Sequence, residues 1–415
     1  MSARVAPTRP SLGAGVSGAP IETGFTEAAS ARLQAQSDPS GTLGGQVHLP
    51  ALDGARGLAI LLVLVFHLTL YGLALPSGTA GKALYRIALS GWIGVDLFFV
   101  LSGFLITGIL YDAKGKDHYL RNFYARRCLR IFPLYFGVLA IALVFLPLAF
   151  PKHAGLQALT SNSGWYWTYT TNVMIARGGW PDFGALGHFW SLAVEEQFYL
   201  LWPFVVLLLN RRKLMGLCIA CILLSLCVRM ELHDWGRRAA ASVLMPARVD
   251  ALAAGGLVAL LHRGPTGLSG YRRHSLWVAL GCGLALAGLG LRYREFNVSH
   301  EPILTVGFTM LALFFASLLV LLLSCGPHHP VGRVFRSAGL RFFGRYSYGL
   351  YVFHHPLLFI TTPSAVAAAL PWLPGGELGS RLVMVGGVAV LSLGLTLLSW
   401  HLVEQHFLRL KSWFR

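Results

Sequence analysis

Arg56 and His67 carry the strongest chemical signal in this chain of 415 residues. Eleven helical steps of about 100° end roughly 20° past three full turns, so the two side chains share one helix face. At 1.5 Å per residue they lie roughly 16 Å apart along the axis. A guanidinium is a permanent cation that matches phosphate or carboxylate, whereas an imidazole titrates near neutral pH and suits general-base work. Their separation prevents Arg56 from orienting His67. The pair must meet different parts of one long ligand, or two ligands. Asp53 stands one turn before Arg56 and is placed to pair with it.

Other stretches add candidates. Asp96 is an acid in an apolar run that continues to Ser102, Gly103 and Phe104. Ser102-Gly103 permits either close helix approach or exposed backbone along a channel. Arg126, Arg127 and Arg130 are spaced to converge on one side of a helix, either snorkelling to a membrane surface or clamping phosphate. Ser191, Glu195 and Tyr199 recur every four residues and line one face, with Glu196 beside them. Two acids entering an apolar run need a cavity or partners, unless they only cap the helix start. Tyr348, Tyr351 and His355 share a face, with His354 adjacent. Arg248, Asp250 and Glu404 are available for structural ion pairs. Cys218 and Cys221 form a lone CxxC in an apolar run and read as helix packing rather than a metal site.

These groups need elements to hold them. Hydrophobic residues make up 55% of the chain and charged residues 12%, against about a quarter charged in soluble domains. That composition excludes an ordinary soluble enzyme and a disordered scaffold. It implies an all-α, polytopic membrane bundle. Apolar runs predict about ten transmembrane helices, over roughly 55–75, 92–110, 132–150, 197–209, 214–229, 248–262, 275–291, 303–324, 347–362 and 382–402. Lysine and arginine concentrate in the loops on the side of the N-terminus, which places both termini in the cytoplasm. The same rule accounts for the net charge of +17 without nucleic acid. Residues 1–50, rich in Gly, Ala, Ser and Pro, read as a disordered cytoplasmic tail, and 51–415 as the membrane domain. The outer segment 151–196 carries Trp165, Tyr166, Trp167, Tyr169, Trp180 and Trp190. These form either an interfacial aromatic belt or a wall for a carbohydrate-like acceptor.

Taken together, these stretches resemble the acyltransferase-3 family of bacterial integral-membrane O-acyltransferases. The resemblance rests on Arg56 and His67, the Ser102–Leu105 segment, Arg127 and Arg130, the Trp190–Tyr199 stretch and the Ser347–Pro356 stretch. It runs from about residue 50 to 406. It departs at Ala55, where the family usually has leucine, and after Glu404, where it usually has proline. The chain looks like the stand-alone membrane type.

The resemblance implies transfer of an acyl group, expected to be acetyl, from cytoplasmic acyl-CoA to a hydroxyl of a carbohydrate or glycolipid. It implies His67 as general base, with Arg56, Glu195 and Glu196 in the catalytic set. The donor is expected at Arg126, Arg127, Arg130, Ser102, Gly103 and Phe104. The acceptor is expected near Asp53, Ser191, Tyr199, Tyr351, His354 and His355. No metal is expected. The competing reading is a multi-pass transporter or exporter of a glycan or acyl group, in which intramembrane Asp, Glu and His relay protons. The absence of an internal repeat counts against it.

Overall fold

The computed structural model describes residues 49–326, 329–372 and 374–414. The tail expected over 1–50 falls outside these residues up to position 48. Pro50, assigned to that tail, instead opens the first helix, where proline's missing N–H costs nothing.

The described residues are helical, without strands. The principal helices are α1 (Pro50–Gly72), α2 (Gly94–Ala113), α3 (Tyr119–Ala140), α4 (Trp190–Leu208) and α5 (Arg211–Asp234). They continue with α6 (Met245–His262), α7 (Arg272–Tyr293), α8 (Phe308–Ser324), α9 (Ser347–Ile360) and α10 (Gly376–Ser399). Among the described residues, nine helical segments are long and apolar enough to cross a membrane. The tenth expected span is α9. At 14 residues it is shorter than a bilayer crossing requires, and it buries Ser347, Tyr351, His354 and His355 inside the bundle. Helix α4 begins earlier than its apolar run, at Trp190, because Ser191 is buried and Glu195 is hydrogen-bonded inside the bundle, and α6 begins at Met245, three residues before its run.

Helices α2 and α6 pack backbone against backbone. A Cβ on Gly103 would fall on the Leu252 carbonyl, and one on Gly255 would fall on the Val100 carbonyl. The two backbones therefore touch where each lacks a side chain. Buried charge fastens α6 to two neighbours. Arg248 donates to Asp96 of α2 at 2.7 Å, and the Arg229 guanidinium of α5 pairs with Asp250 at 2.9 Å. The Arg248 guanidinium also lies 3.6 Å from the centre of the Phe308 ring, a cation–π contact shielded from water.

The segment between α3 and α4 folds into short helices, Ala154–Ser161, Ser163–Trp167 and Thr171–Gly178. It divides its aromatics. Tyr166 is buried and its carbonyl accepts from the Tyr135 hydroxyl at 2.7 Å, whereas Trp167 and Trp180 are exposed. Beyond α10 the chain passes through one wide turn, Trp400–Glu404, into Gln405–Trp413, which packs on α3.

Candidate active site

The site has two parts, and α1 carries one residue into each. Near the start of α1, Arg56 lines an internal cavity of about 100 Å³ together with Arg127 and Arg130 from α3. Farther along the cavity come Ser102, Glu195 and Tyr199, and then Ser191 and Tyr351. Among the described residues, none of the three arginines forms an ion pair. Arg127 instead lies over the rings of Phe123 and Tyr199, at 5.9 and 5.7 Å. Three guanidiniums facing one cavity without a carboxylate partner form a site that favours an anion.

The wall of the cavity is hydrogen-bonded in order. Ser102 Oγ donates to Glu195 Oε1 at 2.5 Å, and the Tyr199 hydroxyl donates to Ser102 Oγ at 3.2 Å. The Tyr351 hydroxyl donates to the His188 carbonyl at 2.7 Å, which leaves Ser191 Oγ to donate to Tyr351 at 2.5 Å. Tyr351 closes this end of the chamber. Its ring centre lies 5.2 Å from that of His188 and 5.8 Å from that of His354.

His67 lies in the second part. It does not line the arginine cavity, whose lining on this side includes Tyr351. Four imidazoles gather there. His67 lies 5.0 Å from His354 and 4.7 Å from His355, ring centre to ring centre, and His188 lies 4.6 Å from His355. Hydrogen bonds fix three of their tautomers. His67 Nδ1 lies 3.1 Å from the Val63 carbonyl, His354 Nδ1 2.8 Å from that of Leu350, and His355 Nδ1 3.0 Å from that of Ala185. A carbonyl oxygen only accepts, so each Nδ1 carries the proton. His354 Nε2, 3.1 Å from His67 Nδ1, is then an acceptor sharing that same proton. His67 Nε2 is left with its lone pair. Tyr71, one turn farther along α1 and exposed, stacks parallel to His67 at 6.2 Å.

The remaining sequence candidates divide. Ser102, Glu195, Tyr199, Ser191 and Tyr351 line the cavity, as do Arg56, Arg127 and Arg130. Gly103 does not, because it serves the α2–α6 contact, and Phe104 packs inside the core. Glu196 is not part of the cavity lining, although its charge acts on Arg127, Tyr199 and Tyr348 in that lining. Asp53 lies beside Arg56 as its acidic neighbour, outside the cavity lining. Arg126 is buried and donates to the Lys411 carbonyl at 3.3 Å. His354 holds His67 rather than facing an open surface. No group of three or more metal-ligating side chains is arranged for an ion among the described residues. His188 was not singled out from the sequence as a site residue. It is 3% exposed, with neither ring nitrogen hydrogen-bonded, and its signal was its position three residues before Ser191.

Comparison with known proteins matches this arrangement to a family. The acyltransferase-3 model, described as an acyltransferase domain, covers residues 49–401. A putative peptidoglycan O-acetyltransferase of Bacillus subtilis, YrhL, is 29% identical over 339 residues, 76% of this chain and 49% of that protein. The peptidoglycan O-acetyltransferase OatA of Listeria monocytogenes is 28% identical over 76% of this chain and 50% of its own. The O-acetyltransferase OatA of Staphylococcus aureus is 27% identical over 78% of this chain and 53% of its own. The chain thus spans about half the length of these relatives. No solved structure matches it. With the match running from the start of α1 to the end of α10, and taking in both the arginine cavity and the histidine cluster, this chain belongs to the acyltransferase-3 family.

Proposed function

We propose that this protein is a multi-pass O-acyltransferase of the bacterial inner membrane. It moves an acyl group, acetyl in the first instance, from cytoplasmic acyl-CoA to a hydroxyl of a carbohydrate or glycolipid. The observation that carries this reading is on α1. One face holds an arginine without an ion pair, lining an anion site, and three turns later a histidine with its tautomer fixed and Nε2 open. A long, thin donor with phosphates at one end and a thioester at the other spans such a distance. The names of the relatives favour an acetyl group and a peptidoglycan-like acceptor.

In this mechanism Arg56, Arg127 and Arg130 hold the donor's phosphates by charge-assisted hydrogen bonds. The pantetheine arm runs along the cavity past Ser102 and Tyr199. The thioester must pass Tyr351 to meet His67, so rotation of the Tyr351 side chain belongs to the cycle. His67 Nε2 takes the proton of the acceptor hydroxyl as its oxygen attacks the thioester carbonyl. The imidazolium so formed is stabilised because its Nδ1–H donates more strongly to His354 Nε2. The carbon–sulfur bond then breaks, and His67 returns its proton to the departing thiolate. Glu195 is occupied by Ser102 in the donor chamber, which makes it a positioning group there rather than the partner of His67.

The test uses purified protein in detergent, with radiolabelled acetyl-CoA and a glycan fragment. His67→Ala should lower transfer by about 10²- to 10⁴-fold, the usual contribution of general-base catalysis, with thermal stability retained. Wild-type turnover in that variant removes the general-base assignment. A protein that works only in sealed vesicles is instead the transporter.

A further inference from the structure

The family match ends at residue 401, but the chain goes on to wrap the arginine end of the site. The segment Leu410–Trp413 packs on α3, the helix that carries Arg126, Arg127 and Arg130. It is anchored there by the Arg126 guanidinium, which donates to the Lys411 carbonyl at 3.3 Å. This holds Lys411, half-buried, beside the helix that carries Arg126, Arg127 and Arg130, close to the arginine cavity although outside its lining, and its ammonium feels the positive charge of these arginines and of Arg56. Lys411 forms no ion pair and no side-chain hydrogen bond among the described residues.

A half-buried lysine placed beside four arginines is unfavourable for the empty protein, because like charges repel and burial weakens screening. Packing does not account for it, since a neutral side chain of the same length would fill the space without the repulsion. A ligand with several negative charges does account for it. Coenzyme A carries a pyrophosphate and a separate 3′-phosphate, more phosphate oxygens than the three cavity arginines can pair bidentately. We propose that Lys411, on the segment beyond the family match, is a further phosphate-binding residue of the donor site. It completes with Arg56, Arg127 and Arg130 a cluster that recognises the phosphorylated nucleotide end of acyl-CoA. This inference rests on the acyl-CoA reading above and adds a residue and a segment to it.

The experiment measures binding of acetyl-CoA and of acetyl-3′-dephospho-CoA to wild-type, Lys411→Gln and Lys411→Arg protein in neutral detergent. Unfolding temperatures are recorded with and without ligand. Lys411→Gln should weaken acetyl-CoA binding about tenfold or more, as loss of a charge-assisted contact does. Its unliganded form should melt at the same temperature as wild type or higher, because one repelling charge is gone. Lys411→Arg should keep most of the affinity. A purely structural lysine gives the opposite pattern, with a lower unliganded melting temperature and ligand affinity unchanged, and that result overturns the proposal. The same phosphate chemistry occurs in lipid headgroups, so the measurement is repeated in nanodiscs with and without phosphatidylglycerol. If only the lipid's stabilising effect depends on Lys411, the donor role is overturned. Wild-type protein that binds no acetyl-CoA removes the donor reading itself. Wild-type binding that Lys411→Gln leaves intact removes only this inference.

Discussion

The protonation pattern of His67 follows from one hydrogen bond within its own helix and one to a residue 287 positions away. The first was implicit in the sequence, since any helical histidine can reach the carbonyl four residues back. The second was not, because no local spacing reports which distant helix will face α1. The sequence reading therefore found His67 and placed His354 among acceptor ligands, where the structure makes it the hydrogen-bond partner of His67, the base of the proposed mechanism. It also offered Glu195 and Glu196 together. Neighbours on a helix point about 100° apart, and only packing decides that Glu195 enters the cavity lining while Glu196 stays out of it. A prediction follows for His354. His354→Phe fills the space but removes the Nε2 acceptor, so turnover should fall about 10- to 100-fold, somewhat less than loss of the base itself. The KM for acetyl-CoA should stay unchanged. His354→Gln, which can offer a side-chain oxygen, should recover part of the loss. Equal turnover in His354→Phe and wild type means that Nδ1 is held by Val63 alone.

Single substitutions act through whole helices where α2 meets α6. Ser102-Gly103 permitted two readings, and the structure divides them between its two residues. Ser102 faces the cavity, and Gly103 lets α6 approach. Gly103→Val should destabilise the protein by about 1–3 kcal/mol or more, the cost of overpacking a close contact, read as a lower unfolding temperature in detergent. Ser102→Ala leaves that contact alone and should change stability far less. The buried pair beside it sets a second expectation. Removing one partner of such a pair strands the other charge, at about 3–5 kcal/mol. Arg248→Ala should therefore fold poorly, and Arg248→Met with Asp96→Leu should be closer to wild type than either single change. The start of α4 was misplaced from sequence for a related reason. An apolar-run criterion stops at Glu195 and Glu196, but Glu195 accepts from Ser102 inside the bundle, so the helix runs back to Trp190.

At the scale of the whole molecule, the class of fold was legible because a 12% charged chain can bury its backbone in lipid only as helices. Counting crossings was harder. Nine described segments meet the length and apolarity of a span, and α9 is apolar but only 14 residues long, with its histidines buried in the surrounding bundle. We read α9, short as it is, as a tenth crossing, which returns the start of α1 and the end of α10 to one side, the side that the positive loops assign to the cytoplasm. On this reading the arginine cavity belongs to the cytoplasmic side, and His67, Tyr71 and the exposed Trp180 to the opposite one. Tyr351 stands between them. This arrangement predicts a reaction with reactants on opposite sides. In vesicles of reconstituted protein, acetyl-CoA outside and a glycan acceptor trapped inside should yield acetylated glycan without either reactant crossing. Only molecules with the arginine end outward should contribute, so a membrane-impermeant arginine reagent added outside should abolish the product, and acetyl-CoA should protect against it. If acetylation instead requires both reactants in the same compartment, Tyr351 is not a divide, and donor and acceptor share one entrance.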